Sequence, residues 1–152
     1  LTTVRRDTGI EITAKTSALQ KGEMLDLKDC PDLAQTIIVA AAAKGLNMVF
    51  TGLETLKIKE TDRVRALQNE LAKIGVALLE DNEVYTLDCK NLHFPDRVCF
   101  KTYDDHRMAM AFAPLSLRIP EVEIEDFHVV EKSYPDYWKD LQKAGFTVTE
   151  LD

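Results

Sequence analysis

The sequence is poor in the residue types that announce a metal centre, a disulfide framework or a membrane span. Its three cysteines, Cys30, Cys89 and Cys99, are odd in number and lack metal-ligand spacing. A reduced, cytoplasmic setting is therefore expected. The three histidines, His93, His106 and His128, form no H-x-x-x-H pair, so no metal site is expected. The longest apolar run, Ile37–Ala43, is far too short to cross a bilayer. Excess positive charge is missing too: the net charge is −7, which disfavours non-specific nucleic-acid binding. Small anionic substrates remain compatible with that charge, because a few convergent cations can dominate a local cleft. No signal peptide is expected at the start, and a first residue Leu1 rather than Met fits a fragment or a processed product.

What is present is a chain of 152 residues, 45% of them hydrophobic, enough for one globular unit with a real core. Val4–Arg6 and Ile10–Ala14 read as short strands around the turn Asp7-Thr8-Gly9. Pro31 suits the first turn of a helix running to Lys44, and Gly45 stops it. That helix is so apolar that burial on most sides is expected. Asn47–Leu53 reads as a strand and Glu54–Lys59 as a loop. Val64, Leu67, Leu71 and Ile74 recur at helical spacing in a helix expected from Glu60, ended by Gly75. A hairpin is expected at 76–88 around Asp81-Asn82.

Farther on, Thr102 and Asp105 match a capping box for a helix reaching Leu117, with Pro114 expected to shorten or bend it. Val122–Phe127 reads as a strand. Ser133 and Asp136 match a second capping box, for a helix that faces Trp138 and Leu141 inward and ends at Gly145. Phe146–Leu151 reads as a final strand.

The element order then reads as a repeat. Asp32 precedes Lys59 by 27 positions, and Asp105 precedes Lys132 by 27. Lys73-Ile74-Gly75-Val76 and Lys143-Ala144-Gly145-Phe146 follow at matching places. An α/β (α+β) chain built from duplicated units is expected, with residues 1–15 as the tail of a preceding unit, 24–88 as a first unit and 98–152 as a second.

Charged residues gather at the helix starts. Lys57, Lys59 and Arg63 lie at a loop-to-helix junction, where free N–H groups and the dipole favour an anion; Glu60 and Asp62 could equally serve only to offset that dipole. Lys132 has the same logic in the second unit. Tyr103-Asp104-Asp105-His106-Arg107 crowds ionisable groups before an apolar helix, where they must pair or face a cleft. Arg107 offers a planar fork that matches a carboxylate. Asp32, beside a buried helix, is either a simple N-terminal acid or a general base facing a cleft.

These strings carry a resemblance. Lys59-Glu60-Thr61-Asp62-Arg63, then Thr102 through Met110 (T-Y-D-D-H-R-M-A-M), then Lys132-Ser133-Tyr134-Pro135-Asp136-Tyr137 resemble the late motifs of the EPSP synthases, the 3-phosphoshikimate 1-carboxyvinyltransferases, in family order. Pro31-Asp32 also matches. The resemblance spans nearly the whole chain and implies part of the C-terminal domain of a two-domain enolpyruvyl transferase fold, with repeated βαβαββ units, helices inside and sheets outside. It implies transfer of the enolpyruvyl group of phosphoenolpyruvate to the 5-hydroxyl of shikimate 3-phosphate, with release of phosphate and with no metal or organic cofactor. The partners implied are those two substrates and an N-terminal domain of the same chain, with no nucleic acid and no membrane.

Residue by residue, the resemblance assigns Arg63 and Arg107 to the phosphoenolpyruvate carboxylate and Lys132 to its phosphate. Lys59 lies near the reacting groups of both substrates. Asp32 and Glu60 match the proposed acid and base, with Asp32 also binding shikimate hydroxyls. His106 and Asp105 orient their neighbours. Thr55 stands where the family commonly has Asn in contact with shikimate 3-phosphate, and Leu56 replaces a frequent aromatic. Glu131 is expected to compete as a partner of Lys132. Two rival readings stay open. The sister UDP-N-acetylglucosamine enolpyruvyl transferase shares the fold without the D-H-R string. A non-catalytic anion-binding module would gain nothing from the acids Asp32 and Glu60.

Overall fold

The structure is a computed structural model that describes residues 2–13, 24–59 and 61–151. Strands β1 (Thr2–Arg6) and β2 (Gly9–Thr13) form an antiparallel hairpin closed by the pair Arg6 and Gly9. Strand β3 (Met24–Asp26) leads through a 3-10 turn, Pro31–Leu33, into helix α1 (Ala34–Ala43). Strand β4 (Met48–Thr51), a 3-10 segment at Glu54–Ile58, helix α2 (Arg63–Ala72) and the hairpin β5 (Ala77–Asp81) and β6 (Val84–Asp88) follow. The sheet order is β3-β4-β6-β5, with β3 parallel to β4 and the other pairs antiparallel.

The rest of the chain runs β7 (Arg97–Phe100), α3 (His106–Phe112), a 3-10 segment Ala113–Leu117, β8 (Glu121–Ile124), a 3-10 segment Phe127–Lys132 and α4 (Tyr137–Lys143). Strand β8 pairs with β7 in parallel. The order strand, helix, parallel strand, 3-10 segment, helix thus occurs twice.

Helices α1 and α3 pack on each other at the centre. Small residues allow it: Ala34, Ala41 and Ala42 of α1 and Ala109 and Ala111 of α3 are buried. One core cluster runs from Leu27 to Ile119 and includes Ile38, Phe50, Leu67, Phe100 and Phe112. A smaller one gathers Ala109, Ala113, Val129, Val130 and Tyr137. Packing of α1 on α3 matters for the site because it brings two helix starts, distant in sequence, to one place.

Gly52 shows why strand β4 stops before the expected Leu53. It sits at φ +76, and a Cβ there would meet the Lys28 backbone nitrogen at 2.3 Å. Only glycine permits that approach of the β4 end to the turn after β3.

Several expectations need correction. The hairpin turn is Asn82-Glu83, one residue later than expected; both residues are left-handed, at φ 48 and 65, as a two-residue turn of this hand demands. Helix α2 starts at Arg63, with Asp62 as its cap accepting from Arg65 N at 2.9 Å. The Thr102 capping box does not form. Tyr103 and Asp104 are left-handed, at φ 55 and 57, and break the chain, so Asp105 itself caps α3 and accepts from Arg107 N at 2.8 Å. Ser133 caps nothing either: α4 begins after Asp136, whose carboxylate binds Lys139 instead. Pro114 turns the end of α3 into a 3-10 segment, as its missing N–H requires. Residues 146–151 form no strand, and the sheet of β7 and β8 has two strands. Strand β7 is not among the elements expected from the sequence.

Candidate active site

Four charged residues from three helix starts converge. Asp32 lies in the 3-10 turn that opens α1, Arg63 is the first residue of α2, Asp105 caps α3, and Arg107 is the second residue of α3. Asp105 is the hub. Its Oδ2 accepts from Arg63 Nε at 2.5 Å and from Gln35 Nε2 at 3.3 Å, while its Oδ1 accepts from Arg107 N. The side chains of Arg63 and Asp105 are 2% and 0% exposed. A buried guanidinium needs such a partner, since an unpaired charge in the core is very costly.

Asp32 lies across the outer side of both arginines. Its Oδ1 is 3.5 Å from Arg63 Nη1 and its Oδ2 is 3.0 Å from Arg107 Nη2. Arg107 Nη1 also donates to the Asp32 backbone oxygen at 3.0 Å. Arg107 Nε is buried without a partner among the described residues, as are Gln35 Oε1 and Thr102 Oγ1.

A second buried acid braces this arrangement. Glu70 of α2, buried, accepts from Lys101 N at 2.9 Å and from the Tyr103 hydroxyl at 2.8 Å, and it pairs with Lys73. The left-handed residue Tyr103 is thereby tied to α2, which holds Arg63. Burial pushes the Tyr103 hydroxyl pKa up, with the neighbouring Glu70 acting the same way against a lowering contact from Asn69. Left-handed residues cost energy, and such strain survives only where the surroundings enforce it. Neither Glu70 nor Gln35 is visible as a site residue in the sequence: Glu70 lies late in α2 and Gln35 in the first turn of α1, both at buried, core-facing positions.

The remaining cations stand apart from this cluster. Lys132 Nζ reaches Asp104 Oδ1 at 3.4 Å, both side chains being exposed. Glu131, expected to compete for Lys132, bonds His128 instead at 2.9 Å. Lys59 and Thr55 are exposed on or beside the 3-10 segment before α2. Lys57 turns away to pair with Glu80, which raises its pKa. His106 touches Asp105 only loosely, at 4.0 Å. Glu60 lies outside the described residues. Among the described residues no group of His, Cys, Asp and Glu could hold a metal ion, and no helix is long and apolar enough to cross a membrane.

The family model of EPSP synthase (3-phosphoshikimate 1-carboxyvinyltransferase) matches residues 2–141. The chain belongs to the EPSP synthase family. A relative from Bacteroides fragilis, a 3-phosphoshikimate 1-carboxyvinyltransferase, is 43% identical over 143 residues, covering 93% of this chain and 35% of its own length. One of the same name from Methanospirillum hungatei is 36% identical over 125 residues, covering 82% and 28%. The chain thus spans about a third of the length of these EPSP synthases. Among solved structures, EPSP synthase from Acinetobacter baumannii matches with a TM-score of 0.65 at 21% identity, over 78% of this chain and 28% of that one. That likeness establishes the mixed helix-and-sheet fold of the family.

Proposed function

We propose that this chain forms one wall of the active site of a 3-phosphoshikimate 1-carboxyvinyltransferase in the shikimate pathway. In that reaction the methylene of phosphoenolpyruvate takes a proton, and the 5-hydroxyl of shikimate 3-phosphate loses its proton as it adds to the adjacent carbon. The tetrahedral intermediate then loses phosphate and a methyl proton to restore the enol. Arg63 and Arg107 hold the phosphoenolpyruvate carboxylate, Lys132 its phosphate, and Lys59 and Thr55 lie toward the reacting groups and shikimate 3-phosphate. Asp32 and Glu60 are the acid and base, and Asp105 and His106 orient their neighbours. Cations around a developing charge and a positioned acid-base pair are what such a transfer requires.

The observation that carries this reading is the convergence of Arg63 and Arg107 on one carboxylate, that of Asp32. Two guanidiniums arranged about a single carboxylate suit a carboxylate ligand. The unit boundaries 24–88 and 98–152, a further domain that completes the shikimate 3-phosphate site, and a cytoplasmic setting consistent with the free thiols of Cys30, Cys89 and Cys99 belong to the same proposal. So does the silence of this chain alone, since positioning supplies on the order of 7–11 kcal/mol in such reactions.

The test is a phosphate-release assay on the full-length protein. Release that needs both substrates together supports the reading. Release with phosphoenolpyruvate alone, or none with both, overturns it. Turnover by the isolated 152-residue chain would sink only the claim of silence.

A further inference from the structure

We infer that Asp32 is the resting occupant of the seat between Arg63 and Arg107, and that a ligand carboxylate enters by exchanging with it. The inference rests on the proposed role of the two arginines and adds how their seat is kept and vacated.

Asp32 does not behave as a structural cap. The N-cap positions of the 3-10 turn and of α1 belong to Cys30 and Leu33, and Asp32 lies between them in the first turn. Its carboxylate instead divides its two oxygens between the two guanidiniums, at 3.5 and 3.0 Å, as a bound carboxylate would. The two acids of the cluster differ sharply in access. Asp105 is fully buried and accepts from Arg63, Gln35 and Arg107 N together, so it cannot leave without breaking all three bonds. The Asp32 side chain is 54% exposed and covers the arginines from the solvent side. An ion pair with one half-exposed member is weak and screened by water, so this acid can be displaced.

Displacement would leave the seat intact. Arg107 is also held through Nη1 by the Asp32 backbone oxygen, and that hold does not depend on the carboxylate. Arg63 stays clamped on Asp105. When a ligand carboxylate takes the arginines, the Asp32 carboxylate is expelled toward the ligand's outer side, where its oxygens are available to a hydroxyl or a proton. Occupation of the seat and release of Asp32 are then one event, and the two carboxylates must compete.

The experiment compares the purified protein with Asp32→Asn and Asp32→Ser, titrating acetate as a bare carboxylate and phosphoenolpyruvate, with no second substrate. Binding is read from the arginine side-chain N–H signals by NMR, and far-UV circular dichroism checks the fold. Both ligands are expected to bind the variants about tenfold more tightly, equivalent to about 1.4 kcal/mol. Adding Arg107→Gln to Asp32→Ser should abolish the gain. Equal or weaker acetate binding by both variants overturns the inference, as does undetectable acetate binding by all three proteins. Tighter acetate with no phosphoenolpyruvate binding anywhere supports the exchange while sinking the enolpyruvyl reading.

Discussion

Arg63 Nε donates to Asp105 Oδ2 at 2.5 Å across a separation of 42 residues, and both side chains are buried. Removing the charge of Asp105 takes from Arg63 its buried counter-ion, with the half-exposed Asp32 carboxylate 3.5 Å from its Nη1. Asp105→Asn is expected to lower stability by about 3–5 kcal/mol, the range for breaking one side of a buried pair. Urea unfolding measures it; a change below 1 kcal/mol would mean that Arg63 finds other compensation.

The two arginines should separate under the same conservative change. Lysine keeps the charge and loses the planar fork. Arg107, with a side chain 30% exposed, should respond to Arg107→Lys mainly in phosphoenolpyruvate binding, by about 1.5–3 kcal/mol. Arg63→Lys should lose binding and stability together, because Arg63 is core as well as site. Calorimetric titration of full-length variants checks both, and shikimate 3-phosphate affinity should move much less. Weaker shikimate 3-phosphate binding with phosphoenolpyruvate unchanged in Arg107→Lys would refute the assignment.

Lys132 offers the opposite case. Its pair with Asp104 is exposed on both sides, so Lys132→Ala should change stability by no more than about 0.5 kcal/mol. A functional effect should therefore appear without a folding effect, as weaker phosphoenolpyruvate binding at unchanged melting temperature. Unchanged affinity would remove Lys132 from the site.

Tyr137 gives a pH signature. Burial pushes its hydroxyl from 10.0 up to about 12, and the hydroxyl donates to the Met110 carbonyl at 3.2 Å. The folded state keeps a proton that the unfolded chain releases, so this contribution is complete below pH 10 and is lost between pH 10 and 12. Tyr85, Tyr103 and Tyr134 are raised as well; the difference between the wild type and Tyr137→Phe isolates Tyr137. The variant should lose about 1 kcal/mol at neutral pH by leaving a carbonyl unpaired. It should also show a shallower decline in unfolding free energy above pH 10. Parallel declines would contradict the assignment.

Local chemistry was legible in advance. The period of Val64, Leu67, Leu71 and Ile74 placed α2, and Pro31 and Gly45 bracketed the first helical stretch. Helix starts were less legible. Thr102 and Ser133 match the capping pattern, yet two left-handed residues before Asp105 and the late start of α4 gave the ends to Asp105 and Asp136. A capping box is a statement about residue types over four positions, while the backbone of the residues inside it is set by contacts elsewhere, here the Tyr103 hydroxyl on Glu70.

By itself the sequence determined the family, through contiguous strings such as K-E-T-D-R and D-H-R-M-A-M, and it determined which side chains could carry charge to a site. Contiguous strings need no folding to be read. Only the tertiary structure decided the pairing within that set: Asp105 with Arg63, Asp32 with Arg107 across 75 residues, and Gln35 with Asp105 across 70. The reason is physical. The 75- and 70-residue separations are closed by the alanine-lined packing of α1 on α3, and a buried ion pair exists only where packing excludes water around it.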